Sequence, residues 1–306
     1  MHLLFAALLA AAPLPHSPDL YVSGFFSSSV QRYYGPRSAV QGPRPSSSQS
    51  GAFYARGFAR RPWGLAFGPD GNLYVANAQG GEGGILRVRG PFDAQAGAAE
   101  PFVAEGAFND LAFGPDGNLY AAGRGPVKRF DIVTHELIDD FTRGHALAEV
   151  RGLAFGPDGN LYVSNYDDGK GEIVRFDGLS GEFLDVYVRS GEGGLVWPYK
   201  IAFGFAGELF IANSTPLGGN ILRIPRGGWP YTGRTRRTTV FATYPDFNPL
   251  YLAVGPDHHL YVSQSGNSGS DGSILRFDEN SGRLIDVFVA NVEGGPRGIA
   301  FAPGAR

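Results

Sequence analysis

The stretch Leu65-Ala66-Phe67-Gly68-Pro69-Asp70-Gly71-Asn72-Leu73-Tyr74-Val75 reads as two short apolar strands joined by a tight turn. Pro69 fixes φ at the first corner, the Asp70 side chain bonds the backbone locally, and Gly71 accepts the positive φ that closes a hairpin. The phrase begins again at Leu111, Leu153, Ile201, Leu252 and Ile299, so successive copies lie 46, 42, 48, 51 and 47 residues apart. Periods of this length mark repeat architectures, β-propellers among them.

The first five copies continue in the same way. A third strand such as Ile85–Val88 or Ile274–Phe277 follows, and then a fourth such as Phe183–Tyr187. Four short strands per period make one blade, and the first two are apolar on both faces, as strands covered by a neighbour on each side must be. One aromatic slot recurs at Phe67, Phe113, Phe155, Phe203 and Phe301, with Val254 the exception; another recurs at Tyr21, Tyr74, Tyr120, Tyr162, Phe210 and Tyr261. Both slots read as core.

The ends explain each other. Residues 298–301 form a first strand with no second strand after it, whereas residues 19–24 read as a second strand with no first. Ser29–Tyr34 and Ala52–Ala59 supply the third and fourth strands. The expected fold is all-β: a six-bladed β-propeller with four antiparallel strands per blade, closed by N- and C-terminal strands that share one blade and leave no free edge at the seam. Residues 19–306 are expected to form a single propeller domain. Residues 1–18 are expected to be a signal peptide or leader, since Leu3–Ala12 is apolar but too short to span a bilayer. That reading implies a secreted or periplasmic protein, or a cytoplasmic one if the apolar run is not a signal.

Composition narrows the function. With 43% hydrophobic and 18% charged residues the chain suits a large buried β-surface, and a formal net charge of -3 offers no bulk basic field to nucleic acid. The absence of cysteine excludes disulfides, thiolate metal sites and cysteine nucleophiles. No stretch is long enough for a membrane span, and a monomer is expected. Two insertions, residues 35–50 and 225–238, interrupt third-to-fourth strand connections; the second carries Arg226, Arg234, Arg236 and Arg237 and would suit an anionic partner surface.

The recurring phrase, with Pro-Arg-Gly-Ile-Ala at 296–300 and Val-Arg-Gly-Leu-Ala at 150–154, resembles NHL-repeat propellers. It is also similar to the senescence-marker and gluconolactonase family of six-bladed propellers and, more distantly, to the streptogramin-lyase group. The resemblance covers residues 19–306, and its shared residues build blades, so it implies fold more than activity.

In such relatives the pocket lies where loops enter the first strands and leave the second strands. The residues two positions before each first-strand Leu or Ile, namely Trp63, Asn109, Arg151, Tyr199, Leu250 and Arg297, are expected to crown the channel. Asn77, Asn165, Asn213 and Gln264 follow from the second-strand loops, with Tyr166, Asp167 and Asp168 nearby. Aromatic faces, amides and two guanidinium groups suit a small polar or anionic ligand, a sugar acid or peptide carboxylate. The family resemblance implies a divalent cation, held by carboxylate and Asn oxygens, at the crown. Only Asn109 matches that ring by type, with Asp110 beside it, and two positions are Arg. Calcium deeper in the channel or at Asp167–Asp168 stays open.

The streptogramin-lyase likeness implies His and Glu near the pocket. His135, His258 and His259 fall on the opposite face, leaving His145, with Glu149 as its partner. The arginines at 32, 87, 129, 175, 223 and 276 occupy one third-strand position in all six blades and are expected to pair with carboxylates or cover apolar surface. Asp70, Asp116, Asp158 and Asp257 are expected to form turns. The leading functional expectation is a ligand-binding propeller. The alternatives are a metal-dependent lactonase or hydrolase of the gluconolactonase type, or a lyase, and, third, a protein-interaction scaffold; no catalytic residue is identified.

Overall fold

The computed structural model describes residues 18–36, 53–57, 61–78, 83–215, 218–226, 238–265 and 271–303. Most of the leader, most of both insertions, and Arg234, Arg236 and Arg237 lie outside them. The described strands form six antiparallel sheets of four strands each. The inner strands are Pro62–Phe67, Phe108–Phe113, Glu149–Phe155, Trp197–Phe203, Pro249–Val254 and Pro296–Phe301 of blades one to six. Each contacts the inner strand of the next blade all the way round, so the sheets form a closed ring. The described residues include no α-helix, only a 3-10 turn at Glu192–Gly194, and no helix long and apolar enough to cross a membrane.

Blade six closes the ring as the sequence implies. Leu20 pairs with Phe301, Tyr21 with Ala300 and Val22 with Ile299, and the Ala302 amide donates to the Asp19 carbonyl at 2.9 Å. Within this blade the third strand is Ser29–Tyr33, one residue shorter than read from sequence, and the fourth is Phe53–Arg56, with Ala52, Phe58 and Ala59 outside the described residues. Gly57, which follows the fourth strand, takes a φ of 80° that suits glycine.

The two aromatic slots join into a ladder between blades. Tyr21 meets Phe67, Tyr74 meets Phe113, Tyr120 meets Phe155, Tyr162 meets Phe203 and Tyr261 meets Phe301, each edge-to-face with centroids 4.9–5.2 Å apart. Every Tyr of the set is buried, and each such pair contributes about 0.5–1.5 kcal/mol beyond area burial. The blade four to blade five junction, with Phe210 and Val254, has no such rung.

The hairpin turns and third-strand arginines lock together beneath the ladder. In each regular turn the Asp accepts the Asn amide and the Tyr hydroxyl, as Asp158 does from Asn160 at 3.2 Å and Tyr162 at 2.9 Å. Arg87 pairs with Glu100, Arg129 with Asp139, Arg175 with Asp185 and Arg276 with Asp286 at 2.5–2.9 Å, and Arg32 with Asp19 at 2.7 Å. Arg223 differs: it faces Thr239 across the sheet and donates to the Asn280 carbonyl at 3.1 Å.

Candidate functional site at the channel mouth

The inner strands carry two consecutive side chains toward the axis because the pairing register of each slips near its channel-mouth end. Such bulges re-aim side chains that strict alternation would send to opposite faces. The first of the two positions is the crown ring. The second holds Gly64, Asp110, Gly152, Lys200, Tyr251 and Gly298.

Three of those six residues plug the channel below the crown. Lys200 Nζ donates to Asp110 Oδ2 at 2.5 Å and to the Leu153 carbonyl at 3.1 Å. The Tyr251 hydroxyl donates to Asp110 Oδ1 at 2.6 Å, and the Leu153 amide donates to Asp110 Oδ2 at 2.9 Å. Burial, and then the Asp110 charge, push the Tyr251 hydroxyl well above its ordinary range, so it stays a donor at neutral pH. The three glycines admit this crowding: a Cβ on Gly64 would sit 2.6 Å from Asp110 Cα, and one on Gly152 would sit 2.8 Å from Lys200 Cα.

Above the plug the crown is aromatic and cationic. Trp63 and Tyr199 lie nearly parallel, with centroids 6.4 Å apart and planes 11° apart. Arg151 lies over Tyr166 and Tyr199, with Cζ 3.8 and 4.7 Å from the ring centroids, and pairs with Glu149 at 3.1 Å. Arg297 lies over Phe25 and Trp63 at 5.0 and 5.5 Å. Among the described residues it has no carboxylate partner; one guanidinium nitrogen donates to the Pro296 carbonyl at 3.3 Å. Arg297 Nε and the Trp63 indole nitrogen are both buried donors without an acceptor. Burial pulls the Arg297 guanidinium down to about 10, still charged at neutral pH.

Three serines fasten this ring to the preceding blades. Ser23, Ser164 and Ser263 donate to the carbonyls of Trp63, Tyr199 and Arg297 at 2.6, 2.5 and 2.6 Å. The crown backbone is therefore set by side chains of the second strands.

Beside the axis a cleft of about 450 Å³ opens over blades one and two, lined by Phe25, Arg61, Trp63, Phe108, Asn109 and Arg124 among others. It opens where the second-strand Asn slot is filled by Gly24 in blade six and Gly123 in blade two. In blades one, three and four the Asn side chains of this slot are buried. Asn165 accepts the Ala148 amide and donates to Glu172, and Asn213 accepts the Val196 amide and donates to the Gly194 carbonyl, all at 2.8–3.1 Å. Asn77 is buried, with its amide 3.5 Å from the Gly83 carbonyl. Asn109 lines the cleft while donating to the Val150 carbonyl at 3.1 Å, and Leu250 is buried.

His145 does not meet Glu149. It lies 3.0 Å from Glu172 and stacks on Phe183, because Glu149 is drawn to Arg151.

The residues present do not fit a divalent cation. Asp110, the carboxylate below the crown, is saturated by Lys200, Tyr251 and a backbone amide, and Glu149 beside the crown is held by Arg151. Among the described residues no three His, Asp or Glu side chains converge as metal ligands, at Asp167–Asp168 or elsewhere.

Sequence reasoning missed Phe25, Arg61, Lys200 and Tyr251, and took Asp110 only as a neighbour of Asn109. The available signal was the position one before each first-strand Leu or Ile: three glycines alternating irregularly with Asp, Lys and Tyr in otherwise apolar strands.

Neither a protein-family model nor a curated protein sequence matches the chain. Solved structures do. A gluconolactonase of Xanthomonas campestris aligns with TM-score 0.60 and 16% identity over 97% of this chain and 96% of its own. The PQQ-bound aldose sugar dehydrogenase of Streptomyces coelicolor aligns with TM-score 0.60 and 19% identity over 84% and 90%. A virginiamycin B lyase of Staphylococcus aureus, solved with quinupristin, aligns with TM-score 0.51 and 16% identity over 79% and 77%. The chain thus has the six-bladed propeller fold of a gluconolactonase, a sugar dehydrogenase and a lyase, and a fold with three such different chemistries leaves the function to the crown.

Proposed function

We propose that this chain is an exported binding propeller that takes a small organic anion, of the sugar-acid or peptide-carboxylate kind, at the channel mouth. The observation that carries this reading is the pair of adjacent buried donors, Arg297 Nε and Trp63 Nε1, which have no acceptor, and Arg297 no carboxylate, among the described residues. A buried donor left unmatched costs about 1–3 kcal/mol, and more when charged. A ligand carboxylate removes that cost with a charge-assisted fork, while Trp63 and Phe25 offer apolar faces to its body. Titration calorimetry with D-gluconate and with neutral glucose tests it. Gluconate is expected to bind and glucose not, and Arg297→Gln is expected to lower gluconate affinity at least tenfold without lowering the melting temperature. Equal binding of gluconate by parent and variant would overturn the reading.

A second reading, metal-dependent lactonase activity, is favoured by the alignment with the Xanthomonas gluconolactonase over nearly both whole chains. The crown donor set speaks against it. A lactone panel with and without added divalent cations decides: metal-dependent turnover lost in Asn109→Ala supports it, and no turnover above background removes it.

A further inference from the structure

Arg297 is not the only guanidinium on Phe25. Arg61 Cζ lies 5.4 Å from the same ring centroid, against 5.0 Å for Arg297, and Phe25 meets Trp63 edge-on at 5.6 Å. Among the described residues neither arginine has a carboxylate partner. The one acid lining the neighbouring cleft, Glu149, is held by Arg151 at 3.1 Å. Two like charges arranged around one aromatic ring, with no acid between them, repel each other unless something anionic joins them.

Arg61 is also held in an unfavourable conformation. Its φ is 55°, in the left-handed region that a long side chain rarely adopts, and its carbonyl accepts the Ala78 amide at 3.3 Å. That geometry places Arg61 on the wall of the cleft beside Trp63. Strain of this kind persists where the surroundings enforce it, and it gathers at ligand sites. The cleft's volume of about 450 Å³ suits a small molecule.

We propose that the crown ligand carries two anionic groups, one held by Arg297 and one by Arg61, with its body lying across Phe25 and Trp63: a short dicarboxylic acid. This inference rests on the anion-binding reading above and names the ligand class for the same site. It assigns Phe25 the role of spacer between the two cations, and Arg61 the role of distinguishing a diacid from a monoacid.

The test is calorimetry on the full chain with succinate, glutarate and adipate, the monoamide of each, and inorganic phosphate. The best diacid is expected to bind at least tenfold more tightly than its own monoamide. Arg61→Gln, a substitution at an exposed residue, is expected to bring that diacid down to the affinity of the monoamide and to leave the monoamide unchanged. If no diacid of the series exceeds its monoamide, or if Arg61→Gln weakens both equally, the inference is overturned while Arg297-dependent monoacid binding keeps the broader reading. If no acid binds at all, both readings fall. Phosphate binding as tightly as the best diacid would mean one compact anion and would also overturn it.

Discussion

Lys200 Nζ lies 2.5 Å from Asp110 Oδ2 at the depth where five of the six inner strands meet, since Leu65, Asp110, Leu153, Lys200 and Tyr251 all touch this network. A ring of like modules has no single core, so a buried polar hub of this kind ties distant blades across the axis. Breaking one side of a buried pair leaves a charge uncompensated. Lys200→Met is therefore expected to cost about 3–5 kcal/mol in urea unfolding, whereas the double change Lys200→Met with Asp110→Leu recovers much of that loss. A single mutant unchanged in stability would show the hub to be dispensable.

The aromatic ladder makes the seam testable. Phe301 of the C-terminal strand contacts Tyr261, and Phe155 in mid-chain contacts Tyr120, with the same 4.9 Å edge-to-face geometry. Phe301→Leu and Phe155→Leu are each expected to cost about 0.5–1.5 kcal/mol from the lost ring contact alone. A negligible cost at Phe301 only would mean that the joined blade contributes little to ring closure.

The junction of blades four and five departs from the repeat. Its turn reads Gly204-Phe205-Ala206-Gly207-Glu208, without the usual Pro, Asp and Asn. Glu208 and Glu279 are buried there, each with one oxygen lacking a partner, and a Cβ on Gly204 would collide with both carboxyl groups. Burial first, and the Glu208 charge after it, raise the Glu279 carboxyl above its ordinary value, while the Phe205 amide, His258 and His259 partly oppose that rise. A carboxyl raised in the folded state favours its protonated form there. Its contribution to stability is fully present below the unfolded pKa and is lost as pH rises through the folded one. Glu279→Gln is expected to be more stable than the parent at neutral pH, and the difference between the two is expected to vanish as pH falls below about 4. Other carboxylates, Asp158 among them, are shifted downward and add the opposite slope to both proteins, so the quantity to follow is parent minus variant.

Ser263 supports the crown indirectly, through its bond to the Arg297 carbonyl at 2.6 Å. Ser263→Ala is expected to weaken anion binding several-fold at unchanged ligand preference, read by titration calorimetry. A loss of preference between diacid and monoamide would place Ser263 in contact with the ligand instead.

The ring was legible because the turn chemistry is explicit: Pro69, Asp70 and Gly71 and their full counterparts mark the hairpins of blades one to three, blade five keeps the Pro and Asp, and the unmatched strands at residues 19–24 and 298–301 identify each other. The channel was less so. Asp110, Lys200 and Tyr251 sit one residue beyond the crown slot, and a period-two reading sends them away from the axis; only the register slip near residues 62–65, 108–110 and their equivalents turns both positions inward. Likewise Asn165 and Asn213 look like free amides in sequence, yet backbone groups of their own blades meet them first. Phe25 and Arg61 belong to no repeated phrase, so periodicity is silent about them.

The most direct test of the crown is a crystal structure grown with the tightest-binding acid from the titrations. A carboxylate is expected within about 3 Å of the Arg297 guanidinium, with the ligand body against Trp63. The same acid seated on the hairpin-turn face, with Arg297 and Trp63 still unpartnered, would contradict the account.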